Sequence, residues 1–261
     1  SPKGLAQMAV EAERRGFAEI NLNLGCPSDR VLAGRFGACM MREPEQVAMC
    51  IAQMKQAVSI PVTAKTRIGI DHDDSYEFFQ AFVRTLVDAG CDKVVVHARK
   101  AWLKGLSPKQ NRTIPAINYD YVYRVKQGLL DVPVVINGDI KTEVQVLEHL
   151  LKVDGVMLGR LACDDPYRIA RIHHALFPHH PLPSRAGVFA SYMDYAKSQT
   201  QVPLSLLLKP ILNLVHGLAD ARKWKAQLLA LKDLKDEGQL CALYDNLVDK
   251  TPDEDSISTR R

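Results

Sequence analysis

The stretch PVTAKTRIGIDHDDSYEFFQAFVRTLVDAGCDKVVVHA, residues 61–98, contains the repeating unit from which this chain is built. It predicts a strand over residues 61–68, a helix over 75–90 that ends at Gly90, and a second strand over 92–98. Short apolar strands separated by an amphipathic helix indicate a βαβ unit, whose two strands run parallel in one sheet. Polar residues follow both strands, at the edge of a parallel sheet that usually carries function.

The same alternation extends from the first residues to about residue 178. Further strands are predicted over residues 18–25, 132–138 and 154–159, and further helices over residues 4–16, 44–58, 119–129, 143–152 and 165–177. This pattern favours an α/β fold of the (β/α)8 TIM-barrel type. The last two strands end in NGD and GR, which suits the phosphate site after strands 7 and 8 of a barrel. We therefore expect strands 4 to 8 here, with the first three β/α units absent and residues 1–178 forming a partial barrel.

The character of the sequence changes after residue 178. A proline-rich linker is predicted over residues 179–186, and helical patterns follow over residues 187–199, 204–217, 220–234 and 239–249. These patterns predict a small all-α domain over residues 187–249. Residues 250–261 contain one apolar residue and are expected to be a disordered tail.

The composition is that of an ordinary globular protein, with 47% hydrophobic and 25% charged residues. No apolar run approaches the roughly 18 residues that a membrane span needs, so no membrane association is expected. The six cysteines form no CxxC pair and no cluster with histidine, which predicts reduced thiols in a cytoplasmic protein and no metal site. A net charge of +4 permits a polyanionic partner without requiring one.

Five stretches resemble the tRNA-dihydrouridine synthase family in order and in spacing. They are NLNLGCPSDRVLAGRFGACMM (21–41), AKTRIGIDHDDSYEF (64–78), HARKAWLKGLSPKQNR (97–112), INGDI (136–140) and DGVMLGR (154–160). The third is similar to the bacterial A-type branch, which acts on the D-loop of tRNA. The resemblance implies an FMN-binding barrel, reduced by NADPH, that converts uridine in tRNA to 5,6-dihydrouridine. We expect a monomer.

Cys26 is the expected proton donor of this reaction. Hydride adds to C6 of uracil, so C5 must receive a proton, and a free thiol with a pKa near 8.5 is mostly protonated at neutral pH. Cys26 lies between a glycine and a proline directly after a predicted strand. The other cysteines are expected to be buried structural residues: Cys39, Cys50, Cys91, Cys163 and Cys241.

Lys65 and His97 are the expected contacts of the flavin ring. A lysine inside a buried strand is costly unless it serves a charged ligand, and opposite a flavin it would stabilise negative charge on the reduced ring. The role of His97 is implied by the resemblance. The flavin phosphate is expected at the two last strand ends, where glycines admit the ligand and an arginine pairs with it: Asn137, Gly138, Asp139, Gly159 and Arg160. The family usually has a second glycine at the position of Asp139, whose carboxylate is unfavourable near a phosphate unless it points away.

The loop over residues 99–112 has five basic and no acidic residues, which suits a phosphate backbone, and Trp102 is available for stacking. The resemblance implies that Lys109, Arg112 and Asn23 contact tRNA. In the helical domain, Lys209 and the run Arg222–Lys225, which includes Trp224, are the further candidates.

Two other functions remain open from the residues alone. One is an FMN barrel that acts on a free small molecule, such as a pyrimidine, and that needs no basic loop or helical domain. The other is a non-catalytic RNA-binding protein, which would not need Cys26, Lys65 and His97 together.

Overall fold

The computed structural model describes residues 1–248, except for the side chain of Leu32. It contains two compact units, one formed by residues 1–140 and 144–158 and the other by residues 141–143 and the chain from residue 159 onward. The functional domain boundaries expected from the sequence remain a prediction. The predicted tail over residues 250–261 lies outside the described residues.

The first unit is built from alternating strands and helices. The strands are β1 (Ile20–Asn23), β2 (Val62–Arg67), β3 (Lys93–His97), β4 (Val134–Asn137) and β5 (Gly155–Met157). The helices are α1 (Pro2–Arg14), α2 (Asp29–Ala33), α3 (Pro44–Ala57), α4 (Tyr76–Asp88), α5 (Tyr119–Gln127) and α6 (Glu143–Leu150), whose first residue belongs to the second unit. Two 3-10 turns span Gly37–Arg42 and Gln110–Arg112.

The five strands of the described chain form one sheet in the order β1-β2-β3-β4-β5, and each pair of neighbours is parallel. The predicted α/β fold with a parallel sheet is therefore confirmed. A doubly wound sheet reverses direction at a switch point, where its ligand binds. No such reversal occurs among these five strands, so all crossovers progress in one direction.

The two faces of the sheet differ in polarity because side chains alternate along each strand. One face is mainly apolar, and its completely buried residues include Val62, Ala64, Val94, Val96, Val134 and Ile136. Burial of each valine or isoleucine contributes about 1.5–3 kcal/mol. The other face carries polar residues in register, with Asn23 beside Lys65 and Arg67 beside His97, which in turn lies beside Asn137. The sheet therefore brings polar side chains from four strands onto one face, near the carboxyl ends.

Capping residues explain why the helices begin where they do. The Ser75 hydroxyl accepts a hydrogen bond from the amide of Phe78 at 3.1 Å, and α4 begins one residue after Ser75. Asn118 caps α5 in the same way by accepting from the amide of Tyr121 at 3.4 Å. Such caps satisfy amides that have no partner within the helix.

The second unit contains α7 (Leu161–Asp164), α8 (Pro166–Leu176), α9 (Arg185–Ser198), α10 (Leu204–Leu207), α11 (Ala221–Leu229) and α12 (Glu237–Val248). Its hydrophobic core includes Phe189, Leu214, Trp224, Leu228 and Leu243, each at most 3% exposed. Trp224 also donates from Nε1 to the carbonyl of Leu243 at 3.0 Å.

The prediction of one continuous helix over residues 204–217 is wrong. Helix α10 ends at Leu207, and a 3-10 turn over Lys209–Ile211 follows it. Pro210 lies in the middle of the predicted helix, where it has no amide hydrogen to donate and its ring obstructs the preceding turn. Among residues 1–248, no helix combines the length and apolar character that crossing a bilayer requires.

Candidate active site

Cys26 lies on a loop whose main-chain amides and carbonyl are held by hydrogen bonds. The side-chain oxygen of Asn23, the last residue of β1, accepts hydrogen bonds from the amides of Gly25 and Cys26, both at 3.2 Å. The carbonyl of Cys26 accepts a third bond from the amide of Ala38 at 2.9 Å. Gly37 permits this approach, because it has a φ of +75° and a Cβ there would lie 2.5 Å from the Cys26 carbonyl oxygen. The thiol itself is half-buried, and its Sγ lies 3.5 Å from the hydroxyl of Ser28.

Lys65 is a half-buried cation on the polar face of β2. Burial, reinforced by repulsion from Arg67, lowers the pKa of its ammonium group. Within residues 1–248, no hydrogen bond or ion pair to this ammonium is found. A desolvated ammonium without a carboxylate is costly, so the position suits an anionic ligand.

His97, at the end of β3, is only 8% exposed and contacts the loop after β4. Gly138 has a φ of +124°, and a Cβ at this position would lie 2.8 Å from Cδ2 of His97. The hydroxyl of Tyr119 donates to the Gly138 carbonyl at 2.6 Å, and the side-chain amide of Asn137 donates to the Met157 carbonyl at 2.7 Å. The loop after β4 is thus held against the histidine ring from two sides.

Asp139 adopts a left-handed backbone conformation with a φ of +56°. Its carboxylate lies 3.5 Å from the Nη2 atom of Arg99, a residue that is 7% exposed and whose Nε has no hydrogen-bond partner within the described chain. The Asp139 carboxylate therefore balances the charge of the buried Arg99 guanidinium. This pairing explains why an acidic residue is tolerated at a position where the sequence suggested a conflict with the flavin phosphate.

Arg67 was not identified as a site residue from the sequence. It is 4% exposed and lies on the same face of β2 as Lys65. Its Nε donates to the Gly25 carbonyl at 2.8 Å, and its Nη1 donates to the carbonyls of Lys100 at 3.1 Å and Asn111 at 2.9 Å. Burial lowers the pKa of Arg67 to about 10, an effect that Cys26 opposes. The sequence feature that could have pointed to Arg67 is its spacing of two residues from Lys65, which places both side chains on one face of the same strand.

The five basic residues of the 99–112 loop are not equivalent. Arg99 pairs with Asp139, and the Lys100 ammonium lies 2.6 Å from Asp74. Lys104, Lys109 and Arg112 are exposed. The surface that this loop offers to a polyanion therefore consists mainly of the last three residues.

Trp102 and Asn111 organise the same loop from within. The buried Asn111 side chain accepts from the Trp102 amide at 2.8 Å and donates to the Trp102 carbonyl at 2.9 Å and the Leu106 carbonyl at 3.2 Å. The Trp102 ring is half-buried and meets the ring of His72 edge-on, with a centroid distance of 5.2 Å. No pattern in the sequence distinguished Asn111 from other polar residues of the loop.

The structure places the remaining expected residues in the second unit. Gly159 and Arg160 lie between β5 and α7, and the exposed Lys209 begins a 3-10 turn. Trp224 is 3% exposed and belongs to the hydrophobic core, so the expectation that it faces RNA is wrong.

The expectation that the other cysteines are buried is correct only in part. Cys50 and Cys91 are buried, and burial raises the pKa of the Cys91 thiol to about 11. Cys39 is half-buried, whereas Cys163 and Cys241 are exposed. Residues 1–248 contain no group of three or more His, Cys, Asp or Glu side chains arranged to hold a metal ion.

Comparison with known proteins identifies the family. The family described as "Dihydrouridine synthase (Dus)" matches residues 1–249. A tRNA-dihydrouridine(20/20a) synthase of Shewanella oneidensis is 47% identical over 231 residues, which are 87% of this chain and 69% of that protein. A protein of the same name from Xanthomonas campestris pv. campestris is 49% identical over 229 residues, or 87% of this chain and 68% of that protein.

Similarity to solved structures is weaker. A prophage protein of the dihydrodipicolinic acid synthase family from E. coli K12 covers 95% of this chain and 82% of its own, with 13% identity and a TM-score of 0.44. That likeness is too weak to bear on fold or function. The family match over residues 1–249 and the two relatives are sufficient to assign the family: the chain belongs to the dihydrouridine synthase family, in its bacterial A-type branch.

Proposed function

We propose that this chain reduces uridine in the D-loop of tRNA to 5,6-dihydrouridine, with FMN as its cofactor and NADPH as the source of electrons. The observation that carries this proposal is the position of Cys26, which is held at the end of β1 next to the strand that carries Lys65 and Arg67. The names of the two relatives support the same reaction. We further propose that the sheet is part of the wall of a (β/α)8 barrel, because its strands follow sequence order without reversal.

The residues of the first unit suit FMN. Lys65 is a desolvated cation without a carboxylate partner among the described residues, as the negatively charged ring of a reduced flavin requires. We propose that Lys65 and His97 hold the flavin ring. We assign the phosphate to the strand end at Asn137, Gly138 and Asp139 in this unit, and the assignment of Gly159 and Arg160 to the phosphate stays a prediction from the sequence. Bound at these residues, reduced FMN would supply a hydride, and C6 of uracil, the electrophilic end of the C5=C6 bond, would receive it.

Cys26 completes the reaction as the acid. Its Sγ donates a proton to C5, so that one hydrogen is added to each end of the double bond and a thiolate remains. Arg67 donates to the Gly25 carbonyl at 2.8 Å and so holds the peptide group that directly precedes the thiol-bearing residue. The target nucleotide must leave its stacked position to reach the thiol, as in other enzymes that modify bases.

The surface proposed for tRNA includes the exposed part of the basic loop. Lys109 and Arg112 lie on either side of the buried Asn111, so a structured turn presents both charges. Asn23 is exposed, and we assign its side-chain amide nitrogen to the target nucleotide, because its oxygen is engaged by the Cys26 loop. We also assign Lys209 and the helical region 187–249 to tRNA. We propose that the enzyme is a monomer, as expected from the sequence, and that it acts in the cytoplasm, where its proposed substrate tRNA is found.

The direct test incubates the purified full-length protein with NADPH and an unmodified tRNA transcript, and measures dihydrouridine in the D-loop by mass spectrometry of nuclease fragments. Visible absorbance of the purified protein reports bound flavin. We expect a yellow protein that forms dihydrouridine only when NADPH is supplied. A flavoprotein that reduces free pyrimidines and ignores tRNA would identify a small-molecule oxidoreductase. A colourless protein that binds tRNA without changing it would identify a non-catalytic RNA-binding protein.

A further inference from the structure

Arg67 connects two segments that are distant from it in sequence, the Cys26 loop and the loop over residues 99–112. Its Nε and Nη1 atoms donate to the carbonyls of Gly25, Lys100 and Asn111, which are 42, 33 and 44 residues away along the chain. The side chain is 4% exposed, and no carboxylate within residues 1–248 forms an ion pair with it. A buried charge that is satisfied only by main-chain carbonyls fixes the positions of those carbonyls, because hydrogen bonds to a charged donor are strong and directional.

On one side, Arg67 holds the peptide group that precedes the proposed acid. The carbonyl of the Gly25–Cys26 peptide accepts from Arg67 at 2.8 Å, and the amide of the same peptide donates to Asn23 at 3.2 Å. Both polar atoms of one peptide unit are therefore held by side chains. Because a peptide unit is planar, these two bonds fix the N–Cα bond of Cys26. The hydrogen bond from the Ala38 amide to the Cys26 carbonyl at 2.9 Å restrains rotation about that bond, so the three bonds together orient the Cα–Cβ bond and the thiol.

On the other side, Arg67 holds the base of the loop proposed to meet tRNA. The carbonyl that accepts from its Nη1 atom at 2.9 Å belongs to Asn111, which directly precedes the exposed Arg112. The side chain of Asn111 in turn binds the amide and the carbonyl of Trp102. Movement of this loop therefore alters the hydrogen bonds of the same guanidinium that holds the Cys26 peptide.

We propose that Arg67 is a positioning residue that couples the conformation of the 99–112 loop to the orientation of Cys26. This role rests on the proposed function: contact of tRNA with the loop would then set the acid in place. Lysine keeps the charge but has a single donor group without the planar fork, so it cannot hold the three carbonyls in the same arrangement.

The first test measures alkylation of Cys26 by iodoacetamide in the full chain, without flavin or tRNA, by peptide mass spectrometry. In Arg67→Lys we expect the half-buried thiol to react about tenfold faster, as loss of one charged hydrogen bond implies. The buried Cys91 reports global unfolding and the exposed Cys163 reports reagent activity, and neither rate should change. Arg42→Lys is the matched control, because Arg42 pairs with Asp71 and Asp73 and with none of the three carbonyls.

The second test measures coupling. Asn111→Ala loosens the loop without touching Cys26, and we expect it to accelerate Cys26 alkylation several-fold in the unaltered chain but less than about twofold in Arg67→Lys. Equal effects in both backgrounds would overturn the proposal, as would an Arg67→Lys rate for Cys26 close to that of Arg42→Lys. Acceleration of Cys91 together with Cys26 would also overturn it, because the role would then be purely structural. A chain that shows the coupling but forms no dihydrouridine would refute the proposed reaction alone.

Discussion

Replacing Gly138 with alanine places a methyl group against the ring of His97. The φ of +124° is a region that side chains rarely adopt, and the strain costs about 1–3 kcal/mol. The new Cβ would lie 2.8 Å from Cδ2 of His97 and 3.0 Å from Cδ1 of Ile117, and such overpacking costs about 1–3 kcal/mol more. Alanine also restricts the unfolded chain, which returns about 0.4–1 kcal/mol. The expected net loss of stability is therefore about 3 kcal/mol.

Gly128→Ala is the matched control in the same unit. Gly128 follows α5 with a φ of −88°, and the nearest atom to a Cβ there, the Val125 carbonyl oxygen, is 3.6 Å away. Only the unfolded-state effect applies, so Gly128→Ala should stabilise the protein by about 0.4–1 kcal/mol. The same chemical change thus has opposite signs at two positions.

Hydrogen exchange of the amides in β3 and β4 measures the difference within the unit that contains both glycines. A loss of about 3 kcal/mol lowers the protection of the slowest amides roughly 150-fold in Gly138→Ala. In Gly128→Ala their protection should be unchanged or higher. Protection in Gly138→Ala within about threefold of the control would refute the packing of His97 on this loop, since threefold corresponds to less than 1 kcal/mol.

Three further predictions concern the proposed reaction. Cys26→Ala should retain tRNA affinity but slow the reoxidation of flavin by tRNA about 100-fold or more in rapid mixing, and a rate within about twofold of the unaltered chain excludes Cys26 as the acid. Lys109→Ala and Arg112→Ala should each weaken tRNA binding and reduce the slope of log affinity against log salt by about 0.7–1, whereas an unchanged slope means that the loop does not touch RNA. Lys65→Met should weaken flavin binding yet stabilise the chain at pH 7. Burial lowers the pKa of Lys65 in the folded state, so the charged lysine destabilises the folded protein. This loss of folding stability is present at neutral pH and disappears as the pH rises past about 10.4, the pKa of an unperturbed lysine. Denaturation curves at neutral and high pH test this sign, and a gain that grows with pH contradicts it.

Local patterns in the sequence were enough to locate the strands and helices of the sheet. The prediction over residues 61–98 placed two strands and one helix within two residues of Val62–Arg67, Tyr76–Asp88 and Lys93–His97. Short apolar runs, an amphipathic helical pattern and a terminal glycine all act within a few residues, so they are visible without the rest of the fold. The residue types at the strand ends also identified Cys26, Lys65 and His97 as candidates.

The number of basic residues in the 99–112 loop predicted its exposed charge less well than the ion pairs that form in the folded chain. The sequence presented five basic residues in the 99–112 loop as one surface. In the structure, Arg99 pairs with Asp139 and Lys100 pairs with Asp74. Both carboxylates come from other loops at the same edge of the sheet, so only the folded chain shows that these two of the five charges are paired with carboxylates.

Arg67 and Asn111 show what the sequence could not specify. The type of each residue was visible, and the spacing of Lys65 and Arg67 placed both on one face of a strand. Their functional contacts, however, are to main-chain carbonyls of Gly25, Lys100, Trp102 and Leu106 and, for Arg67, also to that of Asn111. Every residue carries the same carbonyl, so no side-chain pattern marks the partner. Only the crossing of distant segments at the carboxyl edge of the sheet brings a particular carbonyl within reach of the guanidinium.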